Sequence, residues 1–214
     1  MNILWIKTNQ IIKTIFSNYV WDIPNNEKKV YLTFDDGPTP KITEWVLEQL
    51  KTYNYKATFF CIGNNIEKYP GIFNKLITEG HAVGNHTFNH VKGWNTANRV
   101  YLKEVEQCEE EIQKSSPKNI QSKLFRPPYG KIKPLQSQKL RKQGYKIIMW
   151  DVLSVDYNTT ITKEKCLKNV LKNVASGSII VFHDSIKAFP NLEYALPKTL
   201  QFLSENGYRC ERID

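Results

Sequence analysis

The sequence predicts an α/β protein in which parallel strands alternate with helices. Seven short runs rich in β-branched and aromatic residues are separated by longer stretches that repeat apolar residues at helical spacing. Gly80, Gly144, Gly177 and Gly207 each stand just before a predicted strand, where the end of a helix or a tight turn favours a positive φ. Such units form either an open doubly wound sheet or a closed barrel, and in both folds functional residues gather at the carboxyl ends of the strands.

The predicted elements follow in chain order. The strands are VYLTF 30–34, ATFFCI 57–62, HAVG 81–84, KLFR 123–126, YKIIMWDV 145–152, SIIVFHD 178–184 and YRCERI 208–213. The amphipathic stretches between them include residues 42–53, 99–114, 162–174 and 192–207. Residues 114–123 are polar and predict a surface loop, and no linker or internal repeat divides the chain.

Residues 1–29 are predicted to be an amphipathic extension packed on a domain formed by residues 30–214. Six apolar residues of the extension repeat at helical spacing: Ile11, Ile12, Ile15, Phe16, Tyr19 and Val20. Docking on a membrane surface is the alternative use of this stripe. Because no signal-peptide cleavage site and no transmembrane stretch is legible, we expect a cytoplasmic protein, with association with the cell envelope as the alternative.

Composition narrows the classes of function. The chain is 41% hydrophobic, which is ample for a packed core, and carries a formal net charge of +9. That charge is spread over scattered lysines and arginines without a basic block, so we expect no binding of nucleic acid, although the charge alone leaves a basic nucleic-acid-binding protein as an alternative. We also expect a monomer. The four cysteines are far apart and form no C-x-x-C pair, which indicates reduced core residues.

The stretch GNHTFNH at 84–90 contains His86 and His90, two of only four histidines in the chain. Imidazoles at positions i and i+4 of a helix or helix-like turn can bind one metal ion, although many such pairs are only surface or core histidines. The turn signal DDGP at 35–38 offers a carboxylate from Asp35 or Asp36 as a third ligand, and the other carboxylate could accept a proton from water. Read alone, DDGP could equally be a solvated surface turn.

Further polar residues follow other predicted strands, so they should share one rim of the fold. Arg126 ends the fourth strand, Asp156 lies beyond the fifth, and His183 ends the sixth. His183 could be protonated near neutral pH and donate that proton to a leaving group. Arg126 could hold the base ionised, or could clamp a loop carboxylate for stability only.

Four motifs in this order resemble the signature of the polysaccharide deacetylases, carbohydrate esterase family 4, also called the NodB homology domain. They are TFDDGP at 33–38, HTFNH at 86–90, RPPYG at 126–130 and IIVFHD at 179–184. The resemblance implies a distorted (β/α)7 barrel and the metal-dependent removal of acetyl groups from a carbohydrate. It favours N-acetylglucosamine units of peptidoglycan or of a chitin-like oligomer as substrate, with O-acetyl groups as an alternative.

The same resemblance implies a role for each matching residue. Asp36, His86 and His90 would hold one divalent metal ion, zinc first, with Co²⁺ or Ni²⁺ as alternatives. Asp35 would be the general base that accepts a proton from metal-activated water, and His183 the general acid. Arg126 would orient the base, and the backbone N–H of Tyr129 would face the oxyanion.

One motif departs from the family pattern. Where the family commonly has D-x-x-D-W, this chain has LSVDY at 153–157, so Leu153 replaces the first acid and Tyr157 the tryptophan. Asp156 remains, as a candidate for tuning His183 or as a plain loop acid. Because of Leu153, a catalytically silent carbohydrate-binding domain of the same fold is the alternative function.

The remaining candidate residues are possible substrate contacts and two residues that are predicted to be structural. Pro127, Tyr157 and Trp94 are candidate substrate contacts, although aromatic residues of a β/α protein usually lie in the core. His81, at the start of its strand, and Asp184, on the opposite strand face from His183, are predicted to be structural.

Overall fold

The computed structural model describes residues 6–116 and 120–214, and eight short strands lie among them. Strands β1 to β8 are Lys29–Asp35, Thr58–Cys61, Ala82–Asn85, Leu124–Phe125, Lys146–Ile147, Val152–Leu153, Ile179–His183 and Arg209–Cys210. Seven of them form one path in the order β5-β4-β3-β2-β1-β7-β6, in which every neighbouring pair is parallel. β8 pairs with the first residues of β1. This path confirms the predicted α/β class and the distorted (β/α)7 barrel.

The predicted fifth strand, 145–152, was wrong in one respect, because it divides into β5 and β6. Between them, residues 148–151 bond partly to the segment that precedes β1 rather than only to another strand of the barrel. Val20 bridges Ile148, and the Thr8 amide donates to the Asp151 carbonyl at 2.9 Å. The apolar run 145–152 therefore crosses the seam between the two ends of the sheet.

Eight α-helices surround the sheet among the described residues. Helices α1 to α8 are Gln10–Ile15, Ile42–Thr52, Gly63–Lys68, Pro70–Thr78, Asn98–Ser115, Pro134–Lys142, Lys163–Leu171 and Phe189–Glu205. The predicted stretches 42–53, 99–114, 162–174 and 192–207 correspond to α2, α5, α7 and α8. The four glycines predicted to turn the chain before a strand all have positive φ, between 71° and 89°. Since α5 continues through Ser115, the predicted loop 114–123 begins later than expected, and its residues 117–119 lie outside the described residues.

Side-chain alternation along β1 separates the two sides of the sheet. Val30, Leu32 and Phe34 pack in the main core beneath the helices. Tyr31 belongs to a separate cluster with Phe60, Leu124, Ile148 and Ile179. Because residues two apart on a strand share a face, Thr33 and Asp35 point to the same side as Tyr31. The strand thereby directs one carboxylate into the barrel at its carboxyl end.

The segment before β1 is less helical than its pattern predicts. Its helix, α1, ends at Ile15, after which the chain turns toward the barrel. Ile12, Tyr19 and Val20 pack against apolar clusters of the body, whereas Ile11 and Ile15 are 66% and 64% exposed. A helix of six residues is too short to carry the whole stripe on one face. Residues 1–5 of the extension lie outside the described residues.

Two further expectations concern single residues and membrane insertion. All four cysteines are buried and free of disulfides, as predicted. His81 is buried and its Nδ1 accepts a hydrogen bond from the Ala57 amide at 3.1 Å, so it is the structural histidine expected. Within the described ranges, every helix is too short or too polar to span a lipid bilayer.

Candidate active site

The candidate residues gather at the carboxyl ends of the strands. Asp35 and His183 are register partners at the ends of β1 and β7. His86 and His90 follow β3, Arg126 follows β4, and Asp156 follows β6. A cluster of this kind is what the shared rim of parallel strands predicts.

Asp35 is held by a fully buried arginine. One guanidinium nitrogen of Arg126 donates to Asp35 Oδ1 at 2.7 Å and to the Thr33 hydroxyl at 2.7 Å. The other nitrogens donate to the carbonyls of Ile148 and Met149, and the guanidinium lies 4.2 Å from the centroid of the Phe60 ring. Arg126 thus pairs with the buried carboxylate of Asp35 and fixes its direction.

Asp35 stays ionised although its side chain is buried. Burial alone would raise the pKa of this carboxyl, but the Arg126 guanidinium, together with His86 and His183, holds the pKa below its ordinary value of 3.8. Asp35 is therefore an anion at neutral pH. An anionic, oriented carboxylate is the form that a proton acceptor requires.

The turn after β1 directs the second acid toward the histidines. Asp36 adopts a φ of 82°, a left-handed conformation, and its carbonyl accepts a hydrogen bond from Nδ2 of the Asn65 side chain at 2.8 Å. The Gly37 amide donates to Asp184 Oδ1 at 3.1 Å, and a Cβ at Gly37 would lie only 2.0 Å from Asp184 Oδ2. Asp184, which also accepts from the Thr43 hydroxyl at 2.5 Å, therefore shapes this turn. Burial raises the pKa of Asp184 to about 7.

His86 and His90 stand on an irregular turn rather than on a helix, since Thr87 and His90 have φ values of 63° and 55°. Asp36 Oδ1 lies 3.3 Å from His90 Nε2 and 3.8 Å from His86 Nε2. Ligand atoms of Asp36, His86 and His90 all fall within 4.8 Å of one another. His86 Nδ1 contacts the Arg126 carbonyl at 2.7 Å, which orients its Nε2 toward the group.

The three residues fit a divalent cation. Asp36 Oδ1 is buried and lacks a hydrogen-bond partner among the described residues, which costs free energy unless a cation is bound. Burial lowers the pKa of His86 to about 4 and also lowers that of His90, so both imidazoles are neutral, as metal ligands must be. Two imidazoles and one carboxylate are a common ligand set of catalytic zinc sites.

On the other side of the rim, His183 pairs with Asp156. The His183 Nδ1 lies 2.8 Å from Asp156 Oδ1, and the His183 amide donates to Asp156 Oδ2 at 2.7 Å. Burial disfavours the imidazolium, yet Asp156, with smaller contributions from Asp36 and Asp35, raises the pKa of His183 to about 9. Asp156 is thus bound to His183 and is not a plain loop acid. His183 is cationic at neutral pH and can donate a proton.

The candidate substrate contacts lie around these groups. The exposed Tyr129 ring packs 4.7 Å from His90, and the Tyr157 ring lies 4.9 Å from His183. Trp94 is 55% exposed, and Lys131 Nζ lies 4.1 Å from its ring centroid. Pro127 precedes the turn in which Tyr129 adopts a φ of 60°. Tyr129 and Tyr157 therefore lie beside the candidate site, on loops that follow β4 and β6, whereas Trp94 lies on the loop that follows β3.

Two features of the site were not foreseen. The Thr33 hydroxyl accepts a hydrogen bond from Arg126. In the sequence, Thr33 stands two residues before Asp35 on an apolar strand, so that both side chains share one face. Leu153, in place of an acid, packs with Val155 and Val181. Since Asp156 contacts His183 with both carboxylate oxygens, the replacement leaves this hydrogen-bond partner of His183 in place.

Comparison with known proteins finds one family. A family model described as Polysaccharide deacetylase matches residues 22–148. A peptidoglycan-N-acetylglucosamine deacetylase of Bacillus cereus is 33% identical over 190 residues, covering 88% of each chain. A chitooligosaccharide deacetylase of Azorhizobium caulinodans is 32% identical over 162 residues, covering 76% of each. Other curated relatives are longer, and the chain spans 60% of one and 38% of another.

A solved structure gives the same result. The crystal structure of a peptidoglycan N-acetylglucosamine deacetylase in complex with 4-naphthalen-1-yl-N-oxidanyl-benzamide superposes with a TM-score of 0.87 at 31% identity. The match covers 96% of this chain and 95% of the other. The likeness therefore extends over the whole barrel and both sides of the rim.

Proposed function

Because this chain belongs to the polysaccharide deacetylase family, we propose that residues 30–214 form a metal-dependent hydrolase domain that removes acetyl groups from N-acetylglucosamine units. The observation that carries the proposal is a group of three potential metal ligands that lies close to an ionised carboxylate, Asp35, and to a cationic histidine, His183. A hydrolysis of an amide needs one group that accepts a proton and another that donates one.

Asp36, His86 and His90 would hold the cation, and the neutral state of both imidazoles supports this assignment. When bound there, a divalent cation lowers the pKa of water and polarises a carbonyl oxygen. We propose zinc as the native ion. The same ligand set accepts Co²⁺ or Ni²⁺, whose availability often decides occupancy.

Asp35 would act as the general base. Its carboxylate is close enough to His86 and His90 to interact with both imidazoles, and Arg126 keeps it ionised and fixed in direction. In the proposed reaction it accepts the proton of the water that attacks the acetyl carbonyl carbon. The Tyr129 amide would donate a hydrogen bond to the carbonyl oxygen as negative charge develops on it.

His183 would act as the general acid. Its imidazolium, maintained by Asp156, donates a proton to the amine nitrogen as the carbon–nitrogen bond breaks. The products are acetate and a sugar with a free amino group. Base and acid are different residues with opposite charges at neutral pH, which lets both transfers occur in one catalytic cycle.

Peptidoglycan and chitin-like oligomers are the proposed substrates. One relative is named as a peptidoglycan-N-acetylglucosamine deacetylase and another as a chitooligosaccharide deacetylase, and each match covers most of this chain. Tyr129 and Tyr157 lie beside His90 and His183 as candidate stacking surfaces for sugar rings. The exposed Trp94, and Pro127 ahead of the Tyr129 turn, are further candidate contacts. A peptidoglycan substrate would require the protein to work at the cell envelope. The silent carbohydrate-binding alternative is less well supported, since both proton-transfer residues and all three proposed ligands remain.

Acetate release tests the proposal. Zinc-loaded protein should release acetate from N-acetylglucosamine oligomers and cell-wall fragments, and a chelator should abolish the release until zinc is restored. Asp35→Asn and His183→Ala should each lower kcat by about 10² to 10⁴. Glu205→Gln, an exposed carboxylate on α8, is the matched control and should keep full activity. Full activity in both site variants, or binding of the sugars without any acetate release by the parent protein, would reject the proposal.

A further inference from the structure

The seam of the barrel lies beside the arginine that holds Asp35. The segment 6–22 bonds to this seam through its backbone: the Val20 amide donates to the Ile147 carbonyl at 2.9 Å, and the Met149 amide donates to the Val20 carbonyl at 2.7 Å. A single residue of the segment thus bonds on both sides of Ile148. Val20 therefore supplies the backbone hydrogen bonds that a neighbouring strand would otherwise give to the stretch between β5 and β6.

The same stretch supplies two of the hydrogen-bond acceptors of Arg126. Arg126 Nε donates to the Ile148 carbonyl at 3.3 Å, and a terminal nitrogen donates to the Met149 carbonyl at 2.9 Å. The remaining terminal nitrogen donates to Asp35. A planar guanidinium keeps its donors at fixed angles. Movement of the two carbonyls would therefore turn the group that orients Asp35.

Side chains of the segment clamp the end of this stretch. Asp151 is buried, and its carboxylate contacts Lys13 Nζ at 2.6 Å and Lys7 Nζ at 2.5 Å. The Thr8 hydroxyl donates to the Trp150 carbonyl at 2.7 Å, and the Thr8 amide donates to the Asp151 carbonyl at 2.9 Å. Lys13 is the more buried of the two lysines, with 11% of its side chain exposed against 39% for Lys7.

We infer that the segment 6–22 positions the general base, with Lys13 and Thr8 as positioning residues that act on Asp35 through the backbone at 148–151 and the Arg126 guanidinium. The path is continuous: from Lys13 and Thr8 to residues 150–151, along the chain to the two carbonyls, and from them to Arg126 and Asp35. The inference rests on the proposed function only for the role of Asp35.

Lys13→Met and Thr8→Val test it in the zinc-saturated chain of 214 residues. Both changes approximately keep side-chain volume while removing the contacts to Asp151 and to the Trp150 carbonyl. Because a displacement of about 1 Å at a catalytic group can cost about 10²-fold, kcat per folded, zinc-loaded molecule should fall about ten- to a hundredfold, with KM changed by less than about twofold. Lys13→Arg should restore most of kcat. Lys114→Met, which removes an ion pair with Glu111 on α5, is the matched control and should leave kcat unchanged.

Hydrogen exchange gives a readout that does not depend on activity. In the parent protein, the Met149 amide and the Arg126 Nε–H should be strongly protected, as NMR of ¹⁵N-labelled protein can measure. Both variants should speed their exchange by at least about tenfold at pH values where the rest of the barrel stays protected. Thr8→Val decides the question if Lys13→Met fails to fold.

Two outcomes are distinguishable. If the variants are less stable but keep the parent kcat and the parent exchange rates at Met149 and Arg126, the segment only closes the barrel and the inference is wrong. If the parent protein itself releases no acetate, the proposed function fails, and the exchange rates alone decide whether the segment positions Arg126.

Discussion

Replacing Asp156 by asparagine tests the assignment of His183 as an acid most directly. The change keeps the shape of the side chain and one oxygen that can accept from the His183 amide. It removes the negative charge that lies 2.8 Å from His183 Nδ1. Since burial acts against the imidazolium, its pKa should fall from about 9 to 6.5 or lower.

The size of the effect follows from these two values. The difference between 6.5 and about 9 corresponds to about 3 kcal/mol in favour of the charged imidazole. At about pH 8, roughly nine-tenths of His183 would be protonated in the parent protein, against roughly 3% in the variant. If the reaction requires the imidazolium, kcat at this pH should fall about thirtyfold, while the loss at about pH 6 should be small.

The assays are an NMR titration of His183 in chelator-treated protein and the pH profile of kcat in the zinc-loaded enzyme. We expect the alkaline limb of the profile to move to lower pH in Asp156→Asn. Glu111→Gln, which removes a buried carboxylate on α5 that pairs with Lys114 and Ser115, should leave both curves in place. An unchanged His183 pKa, or an alkaline limb that does not move, would refute the assignment.

Stability should show the same linkage. The folded-state pKa of His183 lies above its unfolded value of 6.5, so its contribution is fully present below about pH 6.5 and is lost as the pH rises through about 9. Urea unfolding of chelator-treated parent protein should therefore lose up to about 3 kcal/mol from this group across that interval. The Asp156→Asn variant should lack most of this pH dependence.

Three further changes have defined outcomes. His90→Ala should weaken zinc binding by at least about a hundredfold in calorimetry because it removes one of three ligands, and affinity equal to the parent would contradict the site. Arg126→Met should lower the free energy of unfolding at neutral pH by about 3–5 kcal/mol, since it leaves the buried Asp35 charge unpaired; a loss below about 1 kcal/mol would contradict the pairing. Phe34→Ala should cost about 3–5 kcal/mol, because Phe34 stacks on Phe59 and Phe182 in the core, whereas Ile15→Ala, at an exposed position, should cost little.

Sequence alone was sufficient for features that depend on short stretches of chain. Strand and helix periodicity and the four positive-φ glycines are set by residues close together in the chain. The sequence also predicted that the acids and histidines gather at one rim. In parallel β/α units, every strand ends at the same edge, so positions just after strands must converge.

Tertiary structure decided how those residues pair. Two residues 27 positions apart, Asp156 and His183, form the charged pair of the proposed acid. The turn after Asp35 is shaped by Asp184, 147 positions from Gly37. Arg126 selects Asp35 rather than a loop acid only because it is buried against Phe60 and the carbonyls of 148–149.

The division of the predicted strand 145–152 has the same origin. Its apolar pattern is that of one buried strand, and nothing local marks the bend. The bend arises where the two ends of the sheet fail to meet and Val20, more than a hundred residues earlier in the chain, provides hydrogen bonds instead. Backbone donors and acceptors in a buried seam must be paired, but which segment pairs them is set by the closure of the whole barrel and not by neighbouring residues.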